Sequence, residues 1–281
     1  MTDITLDPGL YRETVRRALA EDLGWGDSTT LVVVPPETRA TGTLTARAEI
    51  VLAGLDVAIE AFRQLDPAIA VETWRTDGDR CRASDRIAAI TGLAAPMLTA
   101  ERTALNFIRH LSGVASVTRW LADASGGAFR IADTRKTLPL LRVLQKYAVR
   151  VGGGVNCRGS LDEGLIIKAN HARAVGGIRV AVERARAAKP DMPIEVEAAT
   201  IDEVDEALDA GASAILFTGT SPVDLEYALR RCAGRARVVV SGQIPVERVA
   251  LFAGAGADTV SMGSITDSAP AADISFELQP A

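Results

Sequence analysis

Apolar positions change their spacing near residue 129, which divides the chain into two kinds of pattern. Before that point, short runs of different types follow one another. Residues 8–22 place Leu10, Thr14 and Ala18 on one helical face, with Asp7 set to cap and Pro8 at the first helical position. Residues 25–30 have turn chemistry. Residues 38–48 alternate in part, Leu44, Ala46 and Ala48 against Thr43, Thr45 and Arg47, which predicts a strand. A helix is predicted over 54–65, then strands over 69–74 and 86–90 parted by a turn at Asp77-Gly78. A long helix follows over 96–124, with Thr99 as its expected N-cap and a kink or break expected at Ser112-Gly113. Its apolar residues spread around much of the circumference, so it reads as a buried helix.

Beyond residue 129 the rhythm is regular. Apolar strand runs fall at 129–133, 164–168, 193–198, 214–218, 236–241 and 258–262. Between them lie amphipathic helical sets: Leu140/Leu144/Tyr147/Val151, Ile178/Val182/Ala185, Ile201/Val204/Leu208, Leu225/Ala228/Leu229/Cys232 and Val246/Val249/Ala250/Ala253. Strands that alternate strictly with helices imply a parallel sheet with right-handed crossovers. The first strand–helix turn has no G-x-G-x-x-G, which favours a barrel over a dinucleotide-binding sheet. The expected fold is therefore α/β: an N-terminal α+β sandwich domain over 1–111 and an open parallel barrel of six or seven strands over 112–268. The alternating stretch at 274–278 is expected to carry residues 269–281 back to the first domain's sheet.

Composition narrows the function. Hydrophobic residues make up 48% and charged residues 24% of 281 residues, an ordinary globular balance with a substantial core. The net charge of −5 gives no overall attraction to nucleic acid or acidic membrane. The three cysteines, Cys81, Cys157 and Cys232, are odd in number and form no CxxC pair, which argues against a disulfide or zinc scaffold. No signal peptide is read at the N-terminus, and no apolar run approaches the ~20 residues of a membrane span, so a cytoplasmic location is expected.

Against that acidic background, local cations stand out. Lysine occurs four times, at 136, 146, 168 and 189, while arginine supplies nearly all other positive charge. In a parallel barrel the working groups lie at the C-terminal ends of the strands. Those positions read Asp133-Thr134-Arg135-Lys136, Lys168, Glu195/Glu197, Thr218-Gly219, Ser241-Gly242 and Gly263-Ser264. Arginine and lysine suit carboxylates and phosphates, and Ser/Gly turns expose N–H groups that can hold a phosphate. A phosphorylated sugar together with a carboxylated partner is the ligand pair such a pocket would take. Plainer roles exist for several of these residues. Gly152–Gly154 reads as a helix stop, His110 and His171 as hydrogen-bonding residues, Cys157 as an inert small residue, and one of Glu195 and Glu197 as half of an ion pair.

Several motifs together carry a family resemblance. Glu101-Arg-Thr-Ala-Leu-Asn106, Asp133-Thr-Arg-Lys-Thr137, Lys146-Tyr-Ala-Val-Arg150 and Gly152-Gly-Gly-Val-Asn156 resemble quinolinate phosphoribosyltransferase, also called carboxylating nicotinate-nucleotide diphosphorylase. Trp25-Gly-Asp-Ser-Thr-Thr30, Ala53-Gly-Leu55 and Asp273-Ile-Ser275 extend the match almost end to end. The resemblance implies phosphoribosyl transfer from phosphoribosyl pyrophosphate to the quinolinate nitrogen, with Mg²⁺, followed by loss of CO₂ to give nicotinate mononucleotide. It also implies a homodimer or higher homo-oligomer. Residue by residue, Thr134, Arg135, Lys136, Cys157, Arg158 and Lys168 match substrate-binding positions, and Arg102 matches a cation lent by the neighbouring subunit. Glu197, Thr218, Ser241, Gly242, Gln243, Met262, Gly263 and Ser264 match the phosphoribosyl and phosphate side, with Glu197 near the metal. Lys136, Lys168 and Glu197 match the catalytic set.

The chain also departs from the family pattern. Cys157 stands where the pattern has histidine, Ala169 and Thr218 where it has aspartate, and Val239 where it has glutamate. Gln243 replaces a glycine and Asp267 a histidine. Three alternatives therefore stay open: a diverged paralogue acting on another aromatic acid or acceptor, a Schiff-base lyase using Lys168, and a non-catalytic ligand-binding member.

Overall fold

A computed structural model describes residues 4–218, 222–242 and 256–280. Contacts divide the chain into two compact units, Met1–Arg119 with Leu138–Gly153 and Ser268–Ala281, and Trp120–Thr137 with Gly154–Asp267.

The first unit is built on a four-stranded antiparallel sheet. Its strands are β1 (Arg39–Ala46), β3 (Ala70–Thr73), β5 (Arg86–Leu93) and β12 (Ile274–Pro280), in the order β12-β1-β5-β3. A two-stranded ribbon pairs β2 (Ile50–Val51) with β4 (Arg80–Cys81). Alternate residues of β1 are buried, as its sequence pattern requires. Antiparallel pairing of β12 with β1, from Ala46↔Ile274 to Ala40↔Pro280, brings the last strand to the sheet edge as expected. Phe276 then meets Phe62 with ring centroids 5.2 Å apart.

The helices of this unit are α1 (Arg12–Leu23), α2 (Ser28–Val33), α3 (Leu55–Leu65), α4 (Ala94–Ala124) and α5 (Arg142–Val151). Asp7 caps a short turn at Pro8–Leu10 rather than α1 itself. The expected turn at 25–30 is half helix, because Asp27 accepts the Thr30 N–H at 2.9 Å and starts α2. Thr99 does not cap α4, which begins five residues earlier; its hydroxyl bonds Asp27 instead. Nor does α4 break at Ser112-Gly113: it runs through as one helix of 31 residues. Ser112 Oγ takes the Ala53 N–H at 3.0 Å, and Gly113 leaves room for the Pro270 carbonyl, 2.0 Å from where a Cβ would sit. Glycine is there for a close approach, not a kink.

α5 lies in the first unit although its sequence falls between two barrel strands. Tyr147 donates from its hydroxyl to half-buried Asp77 at 2.7 Å, and Asp77 also accepts the Gly54 and Leu55 N–H groups that open α3. Gln145 bonds His110 at 2.8 Å. Gly152 ends the helix where a Cβ would come 2.5 Å from the Ala115 carbonyl oxygen, so the first of the three glycines serves packing.

The second unit is a six-stranded all-parallel sheet. It comprises β6 (Arg130–Ala132), β7 (Leu165–Ile167), β8 (Ile194–Ala198), β9 (Ala214–Phe217), β10 (Arg237–Ser241) and β11 (Thr259–Ser261). All six fall within the predicted runs. The order β6-β11-β10-β9-β8-β7 joins the first strand to the last, while β6 and β7 do not pair, so the barrel is open on that side. Val155 bridges to Ala132 along the free edge of β6. The described helices are α6 (Ala169–Val175), α7 (Ile178–Ala188), α8 (Ile201–Asp209), α9 (Pro222–Cys232) and α10 (Ser264–Asp267). α8 starts with a reciprocal box in which Thr200 and Glu203 each cap the other's N–H. Ile131, Val182, Val196, Val204, Ile215, Phe217 and Val260 are fully or almost fully buried. The helix expected at Val246–Val249–Ala253 lies outside the described residues.

Gly113→Ala tests the close approach in the first unit. The added methyl should destabilise the protein by about 1–3 kcal/mol, the usual cost of overpacking, read as a lower urea midpoint at unchanged slope. A helix kink at this position would instead make alanine neutral or stabilising.

Candidate functional site

Alternate residues of five of the six barrel strands line the interior: Arg130 and Ala132 on β6, Glu195 and Glu197 on β8, Ala214 and Leu216 on β9. Arg237, Val239 and Ser241 do so on β10, and Thr259 and Ser261 on β11. Many of these side chains are small, so the interior is not filled by bulky branched residues as a closed barrel's is. Two cavities result. One, of about 750 Å³, lies at the C-terminal strand ends. The other, of about 350 Å³, lies at the N-terminal ends, and the two share Cys157, Arg158, Ile166, Glu195 and Val239.

The larger cavity gathers most of the predicted site. Thr134, Arg135 and Lys136 enter it from the end of β6, Cys157 and Arg158 from the segment before β7, and Lys168 from the end of β7. Glu197, Thr218, Ser241 and Gly242 complete the ring from β8, β9 and β10. Met262 is buried and Gly263 and Ser264 follow β11; they do not line the cavity, but Gly263 lies against the Lys136 side chain, whose Cδ would be 2.6 Å from an added Cβ. Arg102 is exposed on α4, in the first unit. Gly219 and Gln243 fall outside the described residues.

Local chemistry explains how these groups are held. Asp133 is fully buried, and its Oδ1 accepts the Cys157 N–H at 2.7 Å, tying the end of β6 to the loop that carries Arg158. Thr134 Oγ1 accepts the Lys136 N–H at 2.9 Å, and the Lys136 carbonyl accepts the Thr266 hydroxyl at 2.7 Å. These bonds fix the backbone on both sides of the lysine. At the end of β7, His171 Nδ1 accepts the Lys168 N–H at 2.9 Å. His171 therefore caps α6, in line with its plainer sequence reading, and His110 is likewise a hydrogen-bonding residue.

The charges are arranged for an anion. Among the described residues no carboxylate pairs with Lys136, Lys168 or Arg158 within 4.0 Å. Arg158 donates to the Gly164 carbonyl at 2.6 Å, while its buried Nε has no acceptor there. A buried donor of this kind carries a desolvation cost that an anionic ligand would relieve. Burial pushes the Glu195 carboxyl above its ordinary range, against the pull of Arg237 and Arg158. Among the described residues neither glutamate forms the ion pair that the sequence led one to expect.

The strand-end reading did not include Ile166, Asn170, Arg173, Leu216 or Ser261, which also line the cavity. Arg173 had a detectable signal. It lies one helical turn after Asn170 on α6, and the two side chains bond at 3.0 Å.

For a divalent cation, the described residues hold no group of three His, Cys, Asp or Glu side chains in coordinating reach of one another. Thr218 supplies a hydroxyl, 3.5 Å from the Ala198 carbonyl, and Val239 supplies none of the oxygen donors such an ion needs. Glu197 is then the carboxylate of the larger cavity's upper rim. That donor set fits an ion such as Mg²⁺ carried in on phosphate oxygens, which commonly takes only one or two protein carboxylates.

Comparison with known proteins agrees with this architecture along the whole chain. Residues 27–112 match the model of the quinolinate phosphoribosyl transferase N-terminal domain, and residues 114–277 that of its C-terminal domain. A nicotinate-nucleotide pyrophosphorylase [carboxylating] of Mycobacterium leprae is 41% identical over 277 residues, covering 95% of this chain and 96% of its own. A probable enzyme of the same name from Bacillus subtilis is 37% identical, covering 92% and 90%. The solved nicotinate-nucleotide pyrophosphorylase of Francisella tularensis superposes with a TM-score of 0.92 at 36% identity, covering 99% of this chain and 100% of its own. NadC from Streptococcus pyogenes does so at 0.93 and 38%, covering 99% of each. With both domain models matched in order over nearly the whole length, the chain belongs to the quinolinate phosphoribosyl transferase family.

Proposed function

We propose that this protein transfers a phosphoribosyl group from phosphoribosyl pyrophosphate to the ring nitrogen of quinolinate, releasing pyrophosphate and CO₂ and forming nicotinate mononucleotide. The observation that carries the reading is the larger cavity, where Arg135, Lys136, Arg158, Lys168 and Arg173 converge around Glu197. The names of the Mycobacterium leprae and Bacillus subtilis relatives support the same chemistry.

Each group has work in that reaction. Cations from the ends of β6 and β7, the segment before β7 and α6 hold the dicarboxylate and turn its nitrogen toward the sugar. The bond from the anomeric carbon to pyrophosphate breaks as the bond to nitrogen forms, and positive charge builds on the sugar between the two. Glu197 faces that charge from β8, and Lys136 and Lys168 face the anions on either side. The ring carboxylate then leaves as CO₂, and its electron pair takes up a proton at the vacated carbon. Mg²⁺, bound through substrate phosphates with Glu197 as its protein ligand, would neutralise the departing pyrophosphate. The proposed working form is a cytoplasmic homodimer or higher homo-oligomer. Exposed Arg102 supports a role at a neighbouring subunit's site.

Thr218 and Val239 favour a second reading, in which the same transfer uses a different aromatic acid. Both line the cavity where the family pattern has carboxylates. Incubation with Mg²⁺, phosphoribosyl pyrophosphate and a panel of pyridine carboxylates separates the two. Pyrophosphate and CO₂ release with quinolinate supports the first reading, release with another acid alone supports the second, and silence across the panel removes both.

Two variants test the roles. Lys168→Ala should lower kcat/KM by roughly 10²-fold or more, the scale of losing one electrostatic stabiliser, with the fold intact by circular dichroism. Thr218→Asp should increase Mg²⁺-dependent turnover of quinolinate if the missing carboxylate limits it. A third variant addresses the loop tie. Asp133→Ala should raise KM for the acid about tenfold, the factor expected when ~1.4 kcal/mol of positioning is lost, and Asp133→Asn, which keeps an acceptor oxygen, should recover most of it. Equal losses in both variants would mean that the charge of Asp133, not its hydrogen bond, matters.

A further inference from the structure

The smaller cavity lies at the N-terminal strand ends, beneath the proposed reaction site, and shares Arg158 with it. Its volume of about 350 Å³ is near the low end of the ~300–1,000 Å³ typical of ligand pockets. Arg130 and Arg237, the first residues of β6 and β10, line it. β11 runs between those strands, and its first residue, Thr259, is the register partner of Arg130. Arg130 Nη2 lies 3.5 Å from the Thr259 hydroxyl. Arg158 also lines this cavity, and its guanidinium is turned toward it, bonded to the Gly164 carbonyl just before β7. Three guanidinium groups therefore border one small space.

Glu195 feels the charge of Arg158 and Arg237 but forms a close ion pair with neither. Glu163 is engaged by its own loop, through the Gly159 N–H at 2.6 Å and the Ser160 hydroxyl at 3.2 Å. Glu195 lines the cavity wall, yet among the described residues no carboxylate comes within 4.0 Å of Arg130, Arg158 or Arg237. Arg158 Nε is buried with no acceptor. Forked guanidinium donors are matched by the oxygens of phosphate-like anions, and unmatched buried donors are costly.

We propose that this basal cavity is a binding site for a small tetrahedral oxyanion such as inorganic phosphate, held by Arg130, Arg237 and Arg158 beside the Thr259 hydroxyl. Arg158 lines both cavities, so an anion below holds it away from the acid above. That consequence rests on the proposed phosphoribosyl transfer; the anion site itself does not.

The test separates the two. Inorganic phosphate is titrated into the full chain carrying Lys136→Ala and Lys168→Ala, which weakens anion binding at the upper cavity, and heat release is recorded. Phosphate should still bind, and adding Arg130→Gln and Arg237→Gln should weaken that binding at least tenfold. No binding to the lysine variant, or unchanged binding after the arginine substitutions, overturns the proposal. Should the arginine variants fail to fold, wild-type crystals soaked in selenate decide. Selenium signal in the basal cavity supports the site, and its absence there overturns it. Turnover by the Arg130→Gln/Arg237→Gln protein is measured separately: retained turnover with lost basal binding supports the anion site, and turnover lost across the pyridine-carboxylate panel in wild type counts only against the proposed reaction.

Discussion

The hydrogen bond from the Cys157 N–H to the buried carboxylate of Asp133 links the chemistry to the barrel. β6 and β7 do not pair, so no sheet ladder joins the strand bearing Arg135 and Lys136 to the segment bearing Arg158 and Lys168. Val155 bridges Ala132, and two residues later the backbone is caught by Asp133. Those two ties do the work of a missing strand pair. They let the barrel remain open and hollow without letting its cationic groups drift, which a site acting by preorganised charge requires.

An open barrel with small inward residues has an electrostatic consequence. A closed barrel filled with branched side chains would put a low-dielectric plug beneath the strand ends. Here Ala132, Ala214 and Ser261 leave space, and charged residues occupy it at several levels from Arg237 through Glu195 to Glu197. Among the described residues no carboxylate comes within 4.0 Å of Arg130, Lys136, Arg158, Lys168 or Arg237, so anionic ligands are natural partners for them. On a chain of net charge −5, this keeps attraction local to the cavity.

How much of this was legible in the sequence depended on the range of the interactions involved. The six strands were readable because each apolar run is short and bounded, and burial follows from local pattern. Lys136, Lys168 and Glu197 were readable because a parallel barrel puts strand ends at one mouth. Gly113 was misread because its reason lies in Pro270, far along the chain; locally a Ser-Gly pair looks like a break. Thr99 looked like a cap because the helix start at Ala94 has no capping signal of its own, while its hydroxyl serves Asp27. Arg173 reaches the cavity from helix α6, five residues past the strand end at Lys168, so a strand-end rule does not point to it. The role of Asp133 as an anchor needed the partner N–H, which no spacing rule supplies.

The edge position of β12 has a consequence for how the chain is made. Arg47 meets Ser275 across 228 residues, and β12 completes the sheet begun by β1 only after the entire parallel unit has been synthesised. The second unit is an insertion within the first, as is α5 in the opposite sense. During translation the barrel strands are available to one another while β1 still presents an unpaired edge. Closing so long a loop is entropically slow, and the waiting edge is a site for wrong pairing with another nascent chain. Yield in the cell should therefore be governed by how long β1 waits, more than by the stability of the finished sheet.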